Sequence, residues 1–223
     1  MVQILYGNKL FDMTRKLNKS KKVVKKTTKS TNKPVKEKVF LKLDLGCGDN
    51  KAQGYLGVDY VKTPSVDIVH DLTVFPYPFK DESVEEIFSS HFIEHLDGFT
   101  RAKFFEECHR ILIKPQKDEY GNITKVGKMR VIHPYAKSVR AVQDFTHKWP
   151  PICEQSYLYW NKGWREANKL THGYYDLKCD FDFNISYTFQ DGTISQRNQE
   201  TQQFWADKYW NVIADLIVDL TKK

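Results

Sequence analysis

The stretch from Val39 to Tyr60, VFLKLDLGCGDNKAQGYLGVDY, limits what this chain can fold into more than any other. An apolar run from Val39 to Leu45 stops at Gly46-Cys47-Gly48, and a second short run, Tyr55 to Val58, stops at Asp59. The pattern predicts a strand, a glycine turn and a second strand ended by a carboxylate. In open α/β sheets, ligands of nucleotide type bind outside the carboxyl ends of the strands. Glycine lets the backbone approach such a ligand where any Cβ would hold it off. A carboxylate on the neighbouring strand end can accept hydrogen bonds from both hydroxyls of a ribose. Taken alone, Gly-x-Gly after a strand also suits an ordinary turn.

The continuation narrows the reading. Val66 to Leu72 (VDIVHDL) predicts a third strand ending at Asp71. FPYPFKDESVEEIFSSHFIEHL follows, with Val84 to Ser90 as a fourth strand, and then ECHRILIKP. In order and spacing, about Val39 to Pro134 resembles class I S-adenosylmethionine-dependent methyltransferases of the type 11-like branch. Their pattern reads "DLGCG…GVD…DL…PF.D.S…I.SSH.LEH…E..RIL.P". The resemblance implies an α/β fold, with a Rossmann-like, mostly parallel sheet, helices on both faces and an antiparallel C-terminal edge strand. It implies S-adenosylmethionine as cofactor, with Asp44, Gly46 and Gly48 at its methionine end. Asp59 would hold the ribose, and Asp71 with Leu72 would flank the adenine. Ser90 and His91 would sit at the carboxyl end of the fourth strand, beside the transferred methyl group. The implied activity is methyl transfer to an oxygen or nitrogen of a small or mid-sized acceptor, a small molecule or a glycan-like one.

One departure refines this. In dinucleotide sites the acid lies about 20 residues beyond the glycines, whereas Gly46 and Asp59 are 13 apart and the third glycine is missing. The interval is too short for a full crossover helix, so a loop or shortened helix is expected. A pyrophosphate wants a helix N-terminus beneath it, and S-adenosylmethionine has no phosphate.

Thr100 is a good N-cap for a helix to about Ile113, with Phe104, Phe105, Cys108, Ile111 and Leu112 on one face. Lys128 to His133 predicts a fifth strand after a turn-rich loop. Residues 134–177 break the alternation and form a substrate-side elaboration. It holds Asp144-Phe145-Thr146-His147 and the aromatic cluster Tyr157, Tyr159, Trp160 and Trp164. Cys179 to Phe189 and a run within Trp210 to Leu220 predict the last two strands, with helix between them, and the resemblance implies that they form an antiparallel edge pair. His91 and His147 are the candidate general bases. His91 to His95 spells HxxEH, a zinc-peptidase signature that needs one helix presenting both histidines. A strand precedes His91 directly, so no metal site is assigned. Glu94 and His95 are read instead as ties between the next helix and the sheet. No DPPY-like tetrapeptide follows the fourth strand, which lowers the case for amino methylation of DNA bases.

The net charge of +7 divides unevenly, since residues 1–38 hold 12 Lys/Arg against Asp12 and Glu37, a net +10, leaving −3 for residues 39–223. Residues 1–38 therefore read as a disordered basic tail and 39–223 as one methyltransferase domain. The tail admits nonspecific contact with nucleic acid, so the rival readings are a nucleic-acid methyltransferase and a nucleic-acid-associated module that keeps the fold. No apolar run approaches the roughly 20 residues that span a bilayer. The four cysteines are scattered without CxxC, as expected of reduced thiols in a cytoplasmic setting.

Overall fold

The computed structural model describes residues 39–223; the basic segment 1–38 and the tail expected there lie outside the described residues. Seven strands form one sheet: β1 Leu41–Leu45, β2 Leu56–Asp59, β3 Ile68–Val69, β4 Val84–Ser90, β7 Lys128–Pro134, β8 Phe181–Phe189 and β9 Ile213–Lys222. A separate hairpin pairs β5 Gln116–Lys117 with β6 Ile123–Lys125. The order is β3-β2-β1-β4-β7-β9-β8. Strands β3, β2, β1, β4 and β7 run parallel, while β9 is antiparallel to both β7 and β8. The chain leaves β1 for one side of the sheet and later crosses to β4 on the other. The crevice at the carboxyl ends of β1 and β4 is therefore the topological switch point, where such sheets bind ligands.

Helix α1, Gly98–Ile111, covers the sheet with Phe104, Phe105, Cys108 and Ile111, all buried against Leu43, Leu45, Val84, Ile87, Met129 and Val131. Its cap is Asp97, not Thr100. The Asp97 carboxylate accepts from the backbone N–H groups of Phe99 and Thr100, and from the Thr100 hydroxyl. Asp is as good a cap as Thr, and the earlier residue captured the free amides first. The third strand is also shorter than Val66 to Leu72, because Val66 N–H closes a turn onto the Thr63 carbonyl at one end and Asp71 turns back onto Thr73 at the other. No helix joins β1 to β2, as the short spacing required.

The elaboration is less of an appendage than its sequence suggests. Tyr157 is fully buried, and Trp160 stacks on Phe105 of α1 at 4.7 Å between ring centroids. Such an aromatic pair contributes about 0.5–1.5 kcal/mol beyond its buried area. Arg165, also buried, donates to the carbonyls of Tyr159, Leu177 and Cys179. Tyr157 and Trp160 are thus core, and Tyr159 packs against it. All four cysteines are free thiols. On the other side of the sheet Tyr55, Glu86, Phe88, Lys128, Arg130, Asp219 and Thr221 line an open groove of about 640 Å³. No described helix is long and apolar enough to cross a membrane.

Candidate active site

The glycine turn is held from below by carboxylates. Gly46 (φ +76°) and Gly48 (φ +50°) lie in the left-handed region that other residues avoid. Gly46 N–H donates to the Val58 carbonyl at 2.9 Å, and Gly48 N–H to Asp59 Oδ2 at 3.0 Å. A Cβ on Gly48 would meet nothing within 4 Å, whereas one on Gly46 would fall 2.4 Å from Cγ of Phe92. The first glycine thus makes room for a ring and the second faces open space. Asp59 Oδ1 accepts from Val61 N–H at 3.1 Å. A carboxylate has about four acceptor positions, so Asp59 keeps capacity for a diol. Asp44 is only 2% exposed and its Oδ2 accepts from Ala52 N–H at 2.7 Å, bracing the loop behind the glycines. Burial raises its pKa against that bond. Thr63 Oγ1 donates to the Gly48 carbonyl at 3.2 Å, a tie that nothing in the sequence pattern announced. Cys47 between the glycines is no nucleophile, since burial pushes its thiol up to about 11.

Asp71 Oδ1 accepts from both N–H and Oγ1 of Thr73, at 2.9 and 2.7 Å, which lowers its pKa. Leu72 is buried, and its carbonyl accepts from the Tyr77 hydroxyl at 2.9 Å. Both residues stand beside the carboxyl end of β3, next to Asp59 on β2.

Ser90 ends β4 and His91 leaves it in a left-handed conformation, φ +54°. His91 N–H donates to the Ile132 carbonyl on β7 at 2.8 Å, which holds the strained turn. Its Nδ1 lies 3.3 Å from Glu94 Oε1, with the His91 side chain 40% exposed and that of Glu94 7%. The hydrogen bond to Glu94 raises the pKa of His91 against its partial burial. Burial pushes Glu94 upward, but the bond from His91 and the nearby histidines hold it below the usual carboxylate range. Glu94 Oε2 is buried with no hydrogen-bond partner.

The elaboration docks on this turn. His95 Nδ1 meets Thr146 Oγ1 at 2.9 Å, and the His95 and His147 rings meet edge to face at 4.9 Å. Lys148 N–H donates to the Glu94 carbonyl at 2.8 Å. Buried Arg101 on α1 spends its guanidinium on the carbonyls of Ile93, Leu96 and Pro150. His147 Nδ1 faces the Ala141 carbonyl at 3.2 Å and its Nε2 lies 3.8 Å from Asp144 Oδ2. The DFTH run, set 51 residues beyond His95, thus reaches the end of β4. Ile93–His95 is a single 3-10 turn, so HxxEH here does not present two histidines from one α-helix.

No protein-family model matches this sequence, and no curated protein matches it. Many solved structures do match the fold. An S-adenosylmethionine-dependent methyltransferase from Archaeoglobus fulgidus aligns at 16% identity over 83% of this chain and 87% of its own, with a TM-score of 0.53. One from Mesorhizobium loti aligns at 15% identity over 82% and 90%, with a TM-score of 0.44. Phosphoethanolamine N-methyltransferase 2 of Haemonchus contortus, solved with S-adenosyl-L-methionine, aligns at 13% identity over 82% and 48%, with a TM-score of 0.41. At 16% identity the first of these likenesses shows the fold alone: the chain has the class I S-adenosylmethionine-dependent methyltransferase fold.

Proposed function

We propose that this protein is an S-adenosylmethionine-dependent methyltransferase that methylates an oxygen or nitrogen of a small or mid-sized acceptor. One observation carries the reading. At the switch point, Gly48 faces open space while its N–H sits on Asp59, whose carboxylate retains acceptor capacity. These residues fit the cofactor: the turn admits its methionine end, Asp59 its ribose, and Asp71 with Leu72 its adenine. When bound, S-adenosylmethionine supplies a methyl group on a sulfonium, ready for in-line displacement. The protein then has to orient the acceptor, exclude water and take a proton. Ser90 and His91 stand where that acceptor would sit. His91 is the better placed of the two candidate bases, being the more exposed and oriented by Glu94, while His147 is largely covered.

Calorimetry on the full chain tests the cofactor, with saturable heat expected for S-adenosylmethionine and for S-adenosylhomocysteine. Absence of heat for both at millimolar concentration would refute the reading. Mass spectrometry of extracts incubated with labelled cofactor identifies the acceptor. The +10 charge of residues 1–38 favours a second reading, a nucleic-acid methyltransferase tethered by that segment. Deleting residues 1–38 separates the two. Unchanged turnover on the acceptor supports the first reading, and a salt-sensitive loss supports the second.

A further inference from the structure

We propose that Glu94, His95 and His147 bind a divalent transition-metal cation at the carboxyl end of β4. One carboxylate oxygen and one ring nitrogen from each histidine lie within 4.8 Å of one another. Around an ion with bonds of about 2.0–2.2 Å, neighbouring ligand atoms stand roughly 3.3 Å apart.

The hydrogen bonds around the cluster prepare both rings. Thr146 Oγ1 donates its one proton to Asp144 Oδ1 at 2.7 Å, so it accepts from His95 Nδ1–H. His147 Nδ1–H donates to the Ala141 carbonyl. Each ring thereby carries its proton on Nδ1 and keeps the Nε2 lone pair free, and metal-bound histidines are oriented in this way by their surroundings. Asp144 Oδ2, 3.8 Å from His147 Nε2, adds negative charge without a hydrogen bond.

Glu94 supplies the independent observation. The residue is 6% exposed, and its Oε2 is buried with no partner. A buried carboxylate oxygen left unpaired forfeits its hydration with nothing in return. A tie between helix and sheet would not explain it, because the His91 contact uses Oε1. A cation would satisfy Oε2. Two imidazoles and one carboxylate suit zinc, manganese, iron(II) or cobalt(II) better than magnesium or calcium, which prefer all-oxygen shells. Three protein ligands leave a position open, the arrangement of ions that engage a substrate rather than brace a fold. That the open position faces a methyl acceptor rests on the methyltransferase reading; the binding itself does not.

The test uses the full chain, stripped with chelator and titrated calorimetrically with zinc chloride and manganese chloride. Residues 1–38 contain no His or Cys, so they offer no competing imidazole or thiolate. One saturable site is expected, weakened at least tenfold in Glu94→Gln, His95→Gln and His147→Gln. Cobalt(II) at the site should show visible absorption that the same variants lose. Thr146→Val, which frees the His95 ring without removing a ligand, should weaken binding about 10–100-fold. It carries the test if the ligand variants melt early. No saturable binding of zinc or manganese, or equal affinity in these variants when they melt like the parent, overturns the proposal. Loss of cofactor binding with metal binding retained would count against the methyltransferase reading alone.

Discussion

The two halves of the candidate site, the proposed cofactor half at the glycine turn and the proposed acceptor half at His91, are assembled from very different lengths of chain. Around the glycine turn the partners are close: Asp71 and Thr73 are 2 residues apart, Asp44 and Ala52 are 8, and Gly48 and Asp59 are 11. Around His91 the tie to Glu94 is local, but the ties that dock residues 134–177 are distant: His95 and Thr146 are 51 residues apart, and Arg101 and Pro150 are 49. Closing a longer loop costs more entropy, though only logarithmically. The first half can form from one supersecondary unit. The second exists only once the sheet, α1 and residues 134–177 have come together, so its stability is that of the whole domain.

The sharpest way to separate the halves is His91→Ala. A positioned base contributes about 10²–10⁴-fold in rate. Turnover should fall by that order while calorimetric cofactor affinity stays near the parent value. A parallel loss of both would mean that the halves share more than an edge.

Acid should open the acceptor half first. His133 is fully buried on β7; Nδ1 donates to the Pro134 carbonyl and Nε2 accepts from the Tyr157 hydroxyl at 2.8 Å. Burial pushes its pKa down to about 4, against a usual value of 6.5. The unfolded chain therefore binds more protons than the folded one between those values. Stability from this residue is complete above pH 6.5 and is lost as pH falls toward 4, by up to about 3 kcal/mol. Hydrogen exchange across pH 4–7 should show Lys148 losing protection before Gly48. His133→Gln should reduce the slope, leaving the share of His109, which burial also pushes down to about 4.

Asp59→Ala belongs wholly to the cofactor half. Lost charge-assisted hydrogen bonds should weaken S-adenosylmethionine by about 1–3 kcal/mol, read by calorimetry, with exchange at Lys148 unchanged. An unaltered affinity would remove Asp59 from the ribose role. The smallest expected effect is that of Gly48→Ala. A Cβ there has room but the left-handed backbone is strained, so a cost of about 1 kcal/mol in thermal stability is expected.

Legibility in sequence follows the same division. The strands β1, β2, β4 and β7, the glycine turn and the missing crossover helix could all be read from Val39 to Pro134, because local pattern dictates local structure. The third strand is shorter than its apolar pattern suggests because turns at Thr63–Val66 and Asp71–Thr73 bind both of its ends locally. The helix cap is Asp97, three residues before Thr100; both are capping residues, and only geometry decides between them. In the acceptor half, residue types alone singled out His91 and His147. They did not reveal that Thr146 orients His95, that Phe92 occupies the space beside Gly46, or that one Glu94 oxygen is left unpaired. The available signals were the DFTH run and the HFIEH run, and nothing in either says that they meet. The aromatic cluster joined the core because Tyr157 and Trp160 find α1, a contact that no periodicity within residues 134–177 encodes.

The Phe92 ring beside Gly46 joins what chain distance separates. It sits on the turn that carries His91, pressed on the residue that opens the cofactor turn. A cofactor that displaces Gly46 must displace Phe92, and a rearranged His91 turn must press back. Linkage makes such coupling reciprocal: whatever factor the cofactor adds to acceptor affinity, the acceptor adds to cofactor affinity. The absent side chain at Gly46 thus sets the Phe92 ring directly against the glycine turn, so a change in one turn is felt at the other.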